Sequence, residues 1–121
     1  MEKTMELLYS TNENEFDAIN AVMAPDHQMK EKSLKGQEIE VCGIYQNYVE
    51  NQNGEECVST TLVATDGTTY QTLSDYVDRL MHAVAQRRPV DDWKAAPITI
   101  RIEWRESNNG REMLAPKLVK M

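Results

Sequence analysis

Two short strand patterns flank the dipeptide Asp66-Gly67 and run directly into an amphipathic helix, and this arrangement constrains the fold more than any other feature of the chain. The flanking stretches, 57–65 and 68–73, are rich in β-branched residues, and Asp-Gly is favoured in the two-residue type I′ turns of β-hairpins. Apolar residues then recur at helical spacing over 73–86. The segment predicts a β-hairpin whose second strand enters a helix with almost no linker.

Strand patterns also lie before and after this hairpin. Residues 37–49 alternate around Gly43, and a glycine inside a strand predicts a bulge or a sharp bend. Residues 98–106 place three isoleucines and Trp104 on one face, and a turn at 107–110 leads into a final strand. We therefore expect five strands in all, with the helix between the third and the fourth.

The N-terminal part of the chain has a different pattern. Residues 11–24 combine acidic residues in a first turn with apolar residues on one face, which predicts a short amphipathic helix. The polar stretch 25–36 is interpreted as a linker. A length of 121 residues suits one domain, 1–121, with the helix at 11–24 followed by a barrel at 37–119.

The order of the elements points to a known architecture. A first strand bent at a glycine, and a helix between strands three and four, match the OB-fold, a five-stranded partly open barrel. We therefore expect a mainly β protein with helices, built as an OB-fold-like barrel with an extra N-terminal helix. The alternative is a β-sheet domain with one packed helix and no barrel closure.

Acidic residues are concentrated near the N-terminus. The formal net charge is −7, of which residues 1–29 carry −5 and residues 30–121 carry −2. Proteins that bind duplex DNA usually carry a dense basic stripe, so this balance argues against duplex binding. It leaves single-strand binding open, because base stacking then shares the binding energy with charge.

The cellular compartment is inferred from the cysteines and the N-terminus. The chain has two cysteines, Cys42 and Cys57, and its first residues lack the basic and apolar regions of a signal peptide. We therefore expect a cytoplasmic protein with reduced thiols. No apolar run approaches the roughly 20 residues that a membrane-spanning helix needs, so no membrane contact is expected.

A two-residue turn at the Asp-Gly dipeptide would set the register of the hairpin. In that register Leu62 and Leu73 lie on one face, which we expect to be the core face because they form the stronger apolar pair. The opposite face then carries Tyr70 with Thr61 and Thr72. Thr and Tyr are good strand formers, which is one explanation of this face. The other is that Tyr70 stacks on a base while hydroxyls contact phosphate or sugar.

The other aromatic residues have two interpretations, packing within the protein and contact with a ligand or partner. Tyr45 and Tyr48 follow the bend at Gly43, and we expect one of them to be exposed near the first loop. Trp104 alternates with isoleucines and is expected in the core. Trp93 lies in a loop, where packing and partner contact are equally consistent with the sequence.

Candidate cations for phosphate contact cluster in the C-terminal strands. Residues 97–121 hold five Lys or Arg against three Asp or Glu. A charged strand face can also be a solvated face or a ladder of cross-strand ion pairs. The candidate phosphate contacts are Arg101, Arg105, Arg111, Lys117 and Lys120, supplemented by the linker residues Lys30, Lys32 and Lys35.

Residues typical of catalysis or metal binding are not grouped in this sequence. His27 and His82 stand alone, no Cys/His spacing suits zinc, and no Gly-rich phosphate loop opens a helix. We therefore expect no enzymatic activity and no metal or cofactor.

Four runs of the chain, 34–49, 53–84, 98–104 and 109–119, resemble small single-stranded DNA-binding proteins of tailed bacteriophages and related mobile elements. In these proteins an Asp-Gly hairpin with a Tyr-x-Thr strand precedes a helix within an OB-like core. The resemblance implies sequence-independent coating of single-stranded DNA during replication or recombination, in the host cytoplasm, with replication or recombination proteins as further partners. The residues it implies are Tyr70 and Tyr45 or Tyr48 as base stackers, and Arg101, Arg105 and Arg111 as phosphate contacts.

Two functions of other classes remain open at this point. One is a small β-barrel adaptor or structural protein that binds another polypeptide through its acidic N-terminal helix and a strand edge. The other is an inhibitor that mimics nucleic acid with an acidic surface. The oligomeric state does not follow from the sequence.

Overall fold

The computed structural model describes the backbone of residues 7–10, residues 20 and 21, and residues 23–121. The described residues form nine strands and one long helix. The strands are β1 (Leu7–Ser10), β2 (His27–Gln28), β3 (Glu38–Glu50), β4 (Glu56–Ala64), β5 (Thr69–Thr72), β6 (Ile98–Arg101), β7 (Trp104–Glu106), β8 (Glu112–Leu114) and β9 (Lys117–Lys120), and the helix is α1 (Asp75–Arg87). Of the helix predicted over 11–24, residues 20, 21 and 23 are helical, and the other residues except Ala24 lie outside the described part.

The main sheet curls into a half-barrel with the strand order β2-β5-β4-β3-β6-β9, and β1 also pairs with β3. Every pairing in it is antiparallel except that of β2 with β5. β7 and β8 form a separate two-stranded hairpin. Among the described strands, β9 pairs with β6 and no hydrogen-bonded pairing joins it to β5. The fold is therefore mainly β and barrel-like, with α1 between β5 and β6.

The long strand β3 organises this sheet because both of its edges are used. Its first residues, Glu38–Val41, pair with β6, whereas Val41–Glu50 pairs with β4. Between Val41 and Gly43 the register with β4 shifts, so the strand bulges where the sequence predicts a bend. Beyond the bulge, the edge that β6 has left pairs with β1.

The hairpin between β4 and β5 has a three-residue loop, and the predicted two-residue turn is wrong. Val63 lies opposite Thr69, the Gly67 N–H donates to the carbonyl of Ala64 (2.9 Å), and the Ala64 N–H donates to that of Thr68 (2.8 Å). A type I′ turn needs positive φ at both central residues, but among the described residues only glycines have it. With φ at +89°, Gly67 instead provides the bulge position of a type I turn.

This difference of one residue exchanges the two faces of β5. Leu62 now lies opposite Tyr70, and both side chains belong to the buried core, so the prediction that Tyr70 faces outward is wrong. Leu73, predicted to be in the core, is 45% exposed. The side-chain period of a strand is two, so any slip by one residue inverts its faces.

The core lies between the curled sheet, α1 and the loop that follows the helix. Trp93, which the sequence left open, is fully buried, and its Nε1 donates to the carbonyl of Arg88 (2.9 Å). The other fully buried apolar side chains of the core include residues of β3, β4, β6 and α1 and the residue that follows β6: Ile44, Leu62, Val77, Met81, Ile98, Ile100 and Ile102.

Residues 25–36 are more than the polar linker that the sequence suggests. Met29 and Leu34 are buried in the core, and β2 extends the sheet by pairing in parallel with β5. Asp26 holds this segment through Thr69, whose N–H donates to Asp26 Oδ2 (3.0 Å) and whose Oγ1 accepts from the Asp26 N–H (2.9 Å). The two apolar anchors are spaced too widely to give a periodic signal.

The predicted helix is confirmed as α1. Ser74 caps its first turn, because its Oγ accepts a hydrogen bond from the Val77 N–H (3.3 Å). The negative charges of Asp75 and Asp78 in the same turn interact favourably with the positive end of the helix dipole. Within the described part of the chain, no helix is long and apolar enough to cross a membrane.

Candidate nucleic-acid interface

The residues predicted to form a binding face on β3–β5 are largely buried. Tyr45, Tyr70, Thr61 and Thr72 are all less than a tenth exposed, and Tyr48 is half-buried. A base can stack only on a ring that solvent can reach, and the rings of Tyr45 and Tyr70 are not reachable. The side chains of Thr61 and Thr72 are equally buried. The hairpin therefore does not present the predicted stacking surface.

Tyr70 is held by contacts within the protein. Its ring stacks on that of His27, with the centroids 5.4 Å apart and the planes at 20°. Burial raises the pKa of the Tyr70 hydroxyl, and the nearby carboxylates of Asp66 and Asp26 raise it further. These contacts explain why Tyr70 is part of the core rather than of a ligand site.

Arg101 is exposed only in part and is already paired. Its Nη2 donates to Glu38 Oε2 (3.0 Å) on β3, and its Nη1 donates to Glu103 Oε2 (3.1 Å). These hydrogen bonds raise the pKa of Arg101. This is the ion-pair ladder that the sequence left open as an alternative, so Arg101 is not a free cation for a phosphate.

Three of the other predicted cations, Arg105, Arg111 and Lys117, are exposed and carry no ion pair within the described part of the chain. Arg105 lies on β7 and Arg111 precedes β8, in the hairpin of residues 104–114, which we call the arm. Lys117 opens β9 just beyond it. These three cations, which sequence analysis predicted, therefore remain available on the arm or directly beside it.

A groove of about 310 Å³, which we call the arm groove, lies where the arm joins the sheet. The aromatic residues Trp104 and Tyr76 and the cations Arg105 and Lys117 line it, together with the acidic Glu103. Pro116 also lines it. The arm groove brings together the two types of side chain that single-stranded nucleic acid requires, flat aromatic rings for bases and cations for phosphates.

Trp104 is the site residue that sequence reasoning assigned elsewhere. It packs against the core as expected, but it is only half-buried, and its Nε1 is enclosed without a hydrogen-bond acceptor among the described residues. Its alternation with isoleucines suggested a core position. The signal that could have found it is the neighbouring Arg105 within residues 97–121, where Lys and Arg outnumber Asp and Glu by five to three.

Lys32 contacts the arm from the segment before β3. Its Nζ lies 5.0 Å from the centroid of the Trp104 ring and donates to Glu112 Oε2 (2.9 Å) on β8. That hydrogen bond lowers the pKa of Glu112, and the charges of Lys32 and Lys35 lower it further. The lysine therefore joins the linker to the arm.

Other depressions are less suited to a nucleic acid. One of about 480 Å³ is lined by the paired Glu38 and Arg101 together with Glu40 and Lys120, and no aromatic residue lines it. Among the described residues, no three His, Cys, Asp or Glu side chains cluster in a way that could hold a metal ion.

Comparisons with family models, curated proteins and solved structures found no match to this chain.

Proposed function

We propose that this protein binds single-stranded DNA without sequence preference through the arm groove, and that it coats and protects the strand during replication or recombination of a phage or mobile element. The observation that carries the proposal is the pairing of Trp104 and Tyr76 with Arg105 and Lys117 in one groove. Stacking of one base on an aromatic side chain is worth about 1–3 kcal/mol.

The position of the groove in the fold supports this proposal. If β3, β4, β5, β6 and β9 are taken as the five strands of an OB-like barrel, α1 lies between the third and fourth strands. The arm then belongs to the connection between the fourth and fifth strands, which is one of the two loops that bind oligonucleotides in OB-folds. The other loop corresponds to residues 51–55.

Single strands suit this groove better than duplex does. A stacked base must be unpaired, and a protein with a net charge of −7 offers few cations for the dense phosphates of a duplex. The alternative of an adaptor that binds a polypeptide makes a different prediction, because an apolar interface is far less sensitive to salt than phosphate contacts are.

Titration with oligo-dT tests the proposal. Fluorescence of Trp104 should be quenched on binding, affinity should fall as salt rises, and a duplex of equal length should bind more weakly. Because Trp93 is fully buried, the change reports mainly on Trp104. Oligo-dT that gives neither quenching nor salt-sensitive binding would refute the proposed function.

Substitutions in and outside the arm groove test whether DNA binds there. Trp104→Ala should weaken oligo-dT binding about tenfold, and Trp104→Phe should retain more of it because a ring remains to stack. Arg105→Ala should weaken binding, whereas its control Arg79→Ala, on the exposed side of α1, should not. Circular dichroism establishes that each variant is folded before affinities are compared.

A further inference from the structure

Lys32 covers one face of the Trp104 ring from outside the set of residues that line the arm groove. Its ammonium group lies over the Trp104 ring, 5.0 Å from the centroid, while Glu112 accepts its hydrogen bond. A base stacked on this side of the ring and the ammonium group of Lys32 exclude each other. The lysine must therefore move before a base can stack there.

The contacts that hold Lys32 are of a kind that exchanges readily. The Lys32 and Glu112 side chains are 74% and 52% exposed. Exposed ion pairs and exposed cation–π contacts each stabilise only weakly, because water competes for both groups. A phosphate, which is also an anion, can take the place of the Glu112 carboxylate.

The backbone below Lys32 is anchored, so the side chain stays near the arm when it is released. Leu34 is buried two residues later, and the Gly36 N–H donates to the carbonyl of Ile102 (2.7 Å). Ile102 immediately precedes the arm groove residues Glu103 and Trp104. A released Lys32 therefore remains within side-chain reach of a strand bound in the groove.

We propose that Lys32 is an exchange residue of the single-stranded DNA site, a residue that changes partners when DNA binds. On binding, Lys32 moves away from Glu112 and from the Trp104 ring and contacts a backbone phosphate, and a base takes its place on the ring. The inference rests on the proposed function and adds a regulatory contact to the same site. In the free protein the Lys32–Glu112 pair covers the aromatic surface, and binding removes this cover.

The test compares two substitutions that remove the same charge from the same end of the arm. Glu106 lies directly opposite Glu112 in the arm but makes no ion pair among the described residues. Glu112→Gln should bind oligo-dT about three- to tenfold more tightly than the wild-type protein, because the weak exposed contacts no longer compete. The matched control Glu106→Gln should gain about twofold at most, from the change in net charge alone.

Lys32→Met completes a double-mutant cycle. In the Lys32→Met background, the gain from Glu112→Gln should shrink to that of Glu106→Gln, because no lysine is left to release. In the absence of DNA, acrylamide should quench Trp104 more strongly in Glu112→Gln and Lys32→Met than in the wild-type protein or Glu106→Gln.

The outcomes separate the two proposals. If wild-type protein binds oligo-dT but Glu112→Gln and Glu106→Gln have equal affinities, the exchange role of Lys32 is wrong and the proposed function stands. A gain from Glu112→Gln that persists in full without Lys32 likewise overturns the exchange role. If neither the wild-type protein nor any variant binds oligo-dT, both proposals fail.

Discussion

At Asp66-Gly67 the chain could form either of two loops that differ by one residue. A type I′ turn requires positive φ at Asp66 as well as Gly67, and positive φ costs most L-residues about 1–2 kcal/mol, although Asp is among those that tolerate it. The observed loop places only the glycine there. Asp66 Oδ1 instead accepts the Thr68 N–H (2.9 Å), which lowers the pKa of the carboxyl group.

The same loop recurs in the other two hairpins. Gly54 and Gly110 each have φ at +77°, and each donates its N–H to the residue three positions earlier, Asn51 and Ser107 respectively. In all three hairpins a glycine carries the positive φ at the third loop position. The shared loop shows that positive φ is needed only at the glycine of the Asp-Gly dipeptide.

The burial of Tyr70 gives a prediction at the residue scale. Tyr70→Ala should lower the free energy of unfolding by about 3–5 kcal/mol, the range for removing a large aromatic ring from a core. Tyr70→Phe, which keeps the ring, should cost less than about 1.5 kcal/mol. Urea denaturation measures both. A Tyr70→Ala protein as stable as the wild type would place the ring on the surface, as the two-residue turn requires.

At the scale of elements, a buried amide joins α1 to the sheet. Gln46 on β3 is fully buried, and its Nε2 donates to Thr60 Oγ1 (2.9 Å) on β4 and to Asp78 Oδ1 (2.7 Å) on the helix. A buried polar group without a partner lowers the stability of the fold, so these two hydrogen bonds restrict where the helix can pack on the sheet. Apolar packing by Val77 and Met81 has no such directional preference.

Removing the acceptor on the helix should therefore be costly. Asp78→Ala should lower the free energy of unfolding by about 1–3 kcal/mol more than Asp75→Ala, because only Asp78 accepts from the buried amide. Both aspartates lie in the first turn of α1, so their effects on the helix dipole largely cancel in this comparison. Asp78→Asn, which keeps an acceptor, should recover most of the loss. Equal stability of the two alanine variants in urea would show that the amide contact does not support the helix.

At the scale of the whole molecule, only some of the cations are available to contact a phosphate. The chain carries thirteen Lys or Arg against twenty Asp or Glu, and pairing removes Arg101 from the cations that could contact a phosphate. Arg105, Arg111 and Lys117 remain on or beside the arm without ion pairs among the described residues. An acidic protein can therefore still present a small cationic surface.

This small number of cations predicts a shallow salt dependence of oligo-dT binding. Three or four phosphate contacts should give a slope of log Kobs against log salt concentration of about −2 to −3, at about −0.7 per contact for single strands. Arg105→Ala should make the slope less negative by about 0.7. Affinities at four or more salt concentrations measure it. A slope near zero would indicate an apolar interface instead.

The sequence alone determined those features that depend on local preferences. The bend near Gly43 and the helical spacing after Leu73 each act over a few residues, and the structure has a bulge and a helix there. The alternation of 98–106 is also local, but the structure divides this stretch into β6 and β7, which belong to different sheets. The mainly β fold with a helix between β5 and β6 follows from these elements. The three glycine turns are equally local.

Only the tertiary structure decided which side chains face the core and which remain free to bind. A slip of one residue in the β4–β5 register leaves every local pattern unchanged yet buries Tyr70. The pairing of Arg101 with Glu38 joins residues 63 positions apart, and that of Lys32 with Glu112 joins residues 80 apart. No local pattern encodes such contacts, because they exist only once the sheet has curled and the arm has met the linker.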